Sequence, residues 1–197
     1  MKFELDLPQH LSTTALLARR ERAKVEAEYI APWITPDAHG INKVLDIGCG
    51  AAITSIMLAR ELKLSGLWLM DGQQDQYTSG YKLDTKSWED TDRAQAIAEL
   101  NLQESFWTVV EPDPEFRGSF TFVMSLISWG HHYPIEVYLP MVKESLMNGG
   151  RLVVDLRRDR SNRKAPKGLE TLLTNGFRFL KKLDSTKKCV RFVFERM

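Results

Sequence analysis

Short apolar runs of strand length alternate along this chain with stretches whose apolar residues recur at helical spacing. From Ser12 to about Ile30 alanine, leucine, arginine and glutamate dominate; Ser12 or Thr13 offers a cap and Pro32 closes the stretch, which predicts a leading helix. Lys43 to Ile47 form a strand-length run, and Thr54 to Leu64 return to helical spacing through Ile56, Leu58, Ala59 and Leu62, so strand, glycine turn and helix follow one another. Gly66 to Met70 make a second strand that ends at Asp71. A polar excursion through Gly80 and Asp84 then leads to a helix from about Thr91 to Leu102. Strands are expected at Ser105 to Val110 and Phe120 to Met124, a helix within Pro140 to Met147, and a fifth strand at Arg151 to Leu156 after an Asn148-Gly149-Gly150 turn.

That alternation favours an α/β fold with a mainly parallel sheet. The end departs from it: a short helix near Gly168 to Thr174 precedes Phe177 to Leu183 and Cys189 to Phe194, joined through Asp184-Ser185-Thr186 as a β-hairpin. No repeat, low-complexity segment or linker interrupts the chain, so one domain is expected, with residues 1–40 a helical extension of a core at 41–197.

Composition changes little in this picture. At 197 residues, 43% hydrophobic and 27% charged, the chain can bury a substantial core. A net charge of +1 argues against a globally basic nucleic-acid binder and leaves partners to be inferred from sites. Cys49 and Cys189 fit no metal or redox spacing, which points to free thiols in a reducing compartment. With no signal-like N-terminus and no stretch near ~18 apolar residues, a cytoplasmic protein without membrane contact is expected.

The candidate chemistry lies in Asp46-Ile47-Gly48-Cys49-Gly50-Ala51-Ala52. Gly48 and Gly50 permit a sharp strand-to-helix turn and let a ligand approach bare backbone. Asp71, about 20 residues on at the end of the next strand, is placed to accept hydrogen bonds from ribose hydroxyls. A pyrophosphate cofactor wants the full Gly-x-Gly-x-x-Gly, but the third glycine position here is Ile53, and Asp46 would repel the anion. S-adenosylmethionine carries an ammonium and a sulfonium and no phosphate, so the charges favour the methyl donor over NAD.

These residues resemble the first motif of class I S-adenosylmethionine-dependent methyltransferases, with Ala52 where many members have a third glycine, and Asp71 matches the ribose-binding acid of their second. The alanine is expected to be tolerated on helical backbone. The resemblance spans roughly Lys43 to Phe194 and implies a Rossmann-like seven-stranded sheet, mostly parallel, with an antiparallel strand in the C-terminal hairpin. It implies cofactor contacts from Asp46, Gly48, Cys49, Gly50, Asp71 and Gly72, from Asp113 in the Glu111-Pro112-Asp113-Pro114 loop towards the adenine, and from Ser125 and Leu126.

In an open α/β sheet the end of the fourth strand should meet the transferable methyl. There stands Ser125-Leu126-Ile127-Ser128-Trp129-Gly130-His131-His132-Tyr133-Pro134. Histidine, with an unperturbed pKa of roughly 6.5, suits removal of a hydroxyl proton. His131 and His132 point different ways in extended backbone and make a poor metal pair, so no metal is expected. Tyr133 and Trp129 are expected to wall a pocket. The segment resembles one in small bacterial methyltransferases taken to act on sugar hydroxyls, where an aromatic commonly stands at the position of His131, which favours His132 as the base. Arg157 to Lys167 hold six basic residues against one acid and suit an anionic or sugar-linked acceptor. Methylation of a protein or RNA group, with nucleic acid the less favoured partner, and a noncatalytic scaffold of the same fold are the competing readings.

Overall fold

The computed structural model describes residues 2–71, 91–110, 117–158, 166, 168–185 and 188–197. Gly72, Asp113, the turn residue Thr186 and most of the basic run after Arg158 therefore lie outside the described residues.

Eight strands, β1 Lys43–Ile47, β2 Gly66–Met70, β3 Trp107–Val110, β4 Phe120–Ser125, β5 Ser128–Tyr133, β6 Leu146–Arg157, β7 Phe177–Ser185 and β8 Cys189–Arg196, are described alongside five α-helices. The helices are α1 Thr14–Ile30, α2 Ile53–Leu62, α3 Thr91–Asn101, α4 Leu139–Ser145 and α5 Leu169–Thr174. Seven strands form one sheet in the order β3-β2-β1-β4-β6-β8-β7, with β8 antiparallel to both neighbours and the other pairs parallel. β5 stands outside that order. Sheet, mixed direction and terminal hairpin are those expected from the sequence.

Successive strand residues bury into opposite layers, as the pleat requires. Val44, Phe122, Met124 and Val153 join α1, α2 and α3 on one face, while Leu45, Val123, Leu152 and Val154 join α4 and α5 on the other. Thr13 caps α1, its Oγ1 accepting from the Leu16 N–H at 3.2 Å. The helix then buries Leu16, Ala23, Ala27 and Ile30 in the same cluster as Ile53, Ile56 and Met57 of α2. No helix among the described residues is long and apolar enough to cross a membrane.

Two local expectations are corrected. Asn148-Gly149-Gly150 does not end a helix-to-strand turn but lies inside β6, where the register against β4 jumps from Phe120↔Leu146 to Phe122↔Arg151. Gly149, at φ 77, supplies the conformation the irregularity needs, so the glycine signal was local while the strand continued around it. Ala52 is left-handed at φ 51, ψ 22, not helical: it caps α2 in a conformation that suits glycine.

Candidate cofactor and acceptor site

β1 lies between β2 and β4, so the chain winds one way towards β3 and the other towards β6, and the carboxyl ends of β1 and β4 flank the switch point. A cavity of about 650 Å³ opens there. This volume falls in the range of small-molecule sites.

The cofactor side is a loop stitched to the neighbouring strand. Gly48 and Cys49 both donate to the Met70 carbonyl, at 2.7 and 3.2 Å, and Ala52 N–H donates to the Cys49 carbonyl at 2.8 Å. Gly50 N–H donates to Asp71 Oδ2 at 2.5 Å. These four N–H groups are used within the protein and form no nest for a pyrophosphate. Gly48 has a second constraint: an added Cβ would fall 1.7 Å from Ser128 Oγ, so the residue is small because β5 crosses it.

Asp46, Gly48, Cys49, Gly50, Asp71 and Leu126 all line the cavity. Burial, together with the nearby charge of Asp71, raises the Asp46 carboxyl to about 7. Burial likewise pushes the Cys49 thiol well above its usual range, which keeps it uncharged and poorly nucleophilic. Ser125 is fully buried and staples the turn: its hydroxyl donates to the Ile47 carbonyl at 2.8 Å and accepts from Trp129 N–H at 2.9 Å. It does not line the cavity.

His132 also lines the cavity. Its imidazole is held below its ordinary pKa by burial and by the positive charges of Arg157 and Lys188, which keeps it neutral at neutral pH. His131 stacks edge-on against it with ring centroids 4.8 Å apart, is itself buried, and burial pushes it down to about 4. Trp129 and Tyr133 do not wall the cavity. They pack into the core around Tyr138, and Trp129 Nε1 donates to the Ile135 carbonyl at 2.9 Å, because β5 turns them inward.

The leading helix contributes more than its sequence indicated. Arg19, Arg22, Glu26 and Tyr29 of α1 line the cavity, as does Arg191 of β8. Arg191 bonds Glu26 at 3.1 Å and pairs in two places with buried Asp155, whose Oδ2 also accepts from Ile127 N–H at 3.1 Å. Thr54 donates to the second Glu26 oxygen at 3.1 Å. The helical spacing of Arg19, Arg22, Glu26 and Tyr29 was visible in the sequence, but nothing local told which face would meet a cavity.

No protein-family model and no curated protein sequence matches this chain. Solved structures do. An S-adenosylmethionine-dependent methyltransferase from Aquifex aeolicus superposes with TM-score 0.61 at 15% identity, covering 96% of each chain. Magnesium protoporphyrin IX methyltransferase from Synechocystis, with S-adenosylmethionine bound, gives 0.60 at 17% identity over 99% of this chain and 88% of that one. A geranyl diphosphate methyltransferase gives 0.63 at 13% identity over 100% and 88%. The chain thus has the class I fold of S-adenosylmethionine-dependent methyltransferases.

Proposed function

We propose that this protein transfers the methyl group of S-adenosylmethionine to a hydroxyl oxygen of a small molecule. The observation that carries the reading is one cavity at the switch point lined by Asp46, the glycine loop, Asp71 and a neutral His132.

The donor set fits the cofactor. A buried acid that titrates near neutrality becomes a counter-charge when a cationic ligand arrives, and Asp71 can accept from ribose hydroxyls while anchoring Gly50. The loop's engaged N–H groups speak against a diphosphate. A neighbour of the same fold, magnesium protoporphyrin IX methyltransferase, holds S-adenosylmethionine, in line with this assignment. Gly72 and Asp113 remain assigned by the sequence pattern alone.

When bound, S-adenosylmethionine supplies an electrophilic methyl whose bond to sulfur breaks as its bond to the acceptor oxygen forms, leaving a thioether and releasing the hydroxyl proton. His132 takes that proton, and the cavity walls align the hydroxyl. A sugar hydroxyl is the specific acceptor that the Ser128-Trp129-Gly130 segment favours by resemblance.

Calorimetric titration with S-adenosylmethionine and NAD tests the cofactor: preferential NAD binding, or no binding of the sulfonium ligand by folded protein, sinks the proposal. A labelled-methyl screen of cell extract, separated into small-molecule, protein and nucleic-acid fractions, tests the acceptor class. Label entering only protein or nucleic acid would reject a small acceptor.

A further inference from the structure

Val25, Tyr29 and Ile127 are large apolar side chains that stand 47%, 51% and 48% exposed, and all three line the same cavity. Singly, such residues need no explanation; gathered at one opening they mark a surface made to be covered. They come from separate parts of the chain, two from α1 and one from the turn after β4.

Their placement is enforced. Ile127 is β-branched yet left-handed at φ 56, a conformation that persists only where its surroundings over-determine it. Its N–H is tied to Asp155. Asp155 in turn grips Arg191, and Arg191 holds Glu26, which lies between Val25 and Tyr29 on α1. One buried pair thus fixes both apolar walls.

Ile127 stands in the turn at the carboxyl end of β4, where an open α/β sheet receives its ligand. Glu26, held by the Asp155–Arg191 pair, brings Val25 and Tyr29 to the same cavity.

We infer that the acceptor carries an apolar ring or chain beside its reactive hydroxyl, seated against Val25, Tyr29 and Ile127. This rests on the methyltransferase reading above. A bare sugar, ringed by hydroxyls, would set polar groups against these three side chains; a sugar or other hydroxyl compound that bears an apolar ring or chain covers them and leaves its polar edge to His132.

The test uses full-length protein, titrated first with S-adenosylhomocysteine and then, once saturated, with 2-naphthol or with methyl glucoside. 2-Naphthol should bind saturably and methyl glucoside should not. Ile127→Asn, which suits the left-handed backbone, and Val25→Ser should each weaken naphthol binding about tenfold by removing apolar contact. Leu17→Ser, an exposed position on α1 outside the cavity, should leave it unchanged. Naphthol that fails to bind, or that binds equally to wild type and both cavity variants, overturns the inference, as does saturable methyl glucoside binding that the variants leave intact. Failure of the first titration in folded protein sinks the methyltransferase reading and this inference with it, whereas failure of the naphthol arm alone sinks only the inference.

Discussion

Arg191 and Asp155 are directly opposed across the antiparallel pair of β8 and β6 and meet through two parallel bonds, Nε to Oδ1 at 2.9 Å and Nη2 to Oδ2 at 2.8 Å. Their side chains are 7% and 1% exposed, so neither charge can fall back on water. Arg191→Met should cost about 3–5 kcal/mol in urea unfolding, because it strands a buried carboxylate. Asp155→Leu combined with Arg191→Met should recover most of that stability. The double variant would still lose the anchor at Ile127, so recovered stability without recovered acceptor binding is its expected signature.

Gly48 and Ser128 make a second prediction. Gly48 sits at φ 70, and a Cβ there would lie 2.3 Å from the Ser128 Cβ as well as overlapping its hydroxyl. Gly48→Ala should lower stability by about 2 kcal/mol or more, read as a fall in Tm. Adding Ser128→Gly should restore part of the loss. No rescue would mean that the clash is not what makes Gly48 small.

Asp46 links cofactor affinity to pH. A carboxyl that titrates at about 7 in the free protein loses its proton when a cation binds beside it, so S-adenosylmethionine affinity should rise with pH through neutrality and level off above it. Calorimetry in buffers of different ionisation enthalpy should detect proton release near pH 6.5–7 that vanishes in Asp46→Asn, on the order of one proton or less per site. Stability runs the other way. Between the ordinary 3.8 and the folded value of about 7 the native protein binds the proton that the unfolded chain has released, so stability falls as pH rises across that window. Asp46→Asn should flatten this slope while weakening cofactor binding.

His132 should govern turnover separately. Since burial and the charges of Arg157 and Lys188 hold its pKa below the ordinary 6.5, kcat should rise with pH to a plateau reached by neutrality. His132→Ala should keep S-adenosylmethionine affinity and lose about 100-fold or more in kcat. Unchanged turnover would remove it as the base. Asp71→Ala should show the opposite split, with cofactor affinity lost first.

Much of the fold could be read from the chain because the information was contiguous. The strand Lys43–Ile47, the glycine turn and the helix after it are encoded in adjacent residues that pass from a short apolar run to helical spacing. The same holds for Gly66–Met70 and the hairpin of β7 and β8. Backbone sign was harder to read: Ala52 looked compatible with helix but is left-handed, since the turn into α2 is set by the pull of β2 on the loop. Trp129 and Tyr133 looked like pocket walls because they flank the histidines, but β5 packs them inward.

By itself, then, the sequence determined the alternation of strands and helices, the acid-flanked glycine loop and the preference for a cationic cofactor, all consequences of residue type over short spans. Tertiary structure decided what meets that loop. Glu26 and Arg191 are separated by 165 positions and touch only because the sheet order inserts β8 between β6 and β7. That contact lays α1 beside the cavity and turns a leading helix into its wall. Ser128 crosses Gly48 for the same kind of reason. Contacts between distant residues follow from strand order and layer packing, which no local periodicity specifies.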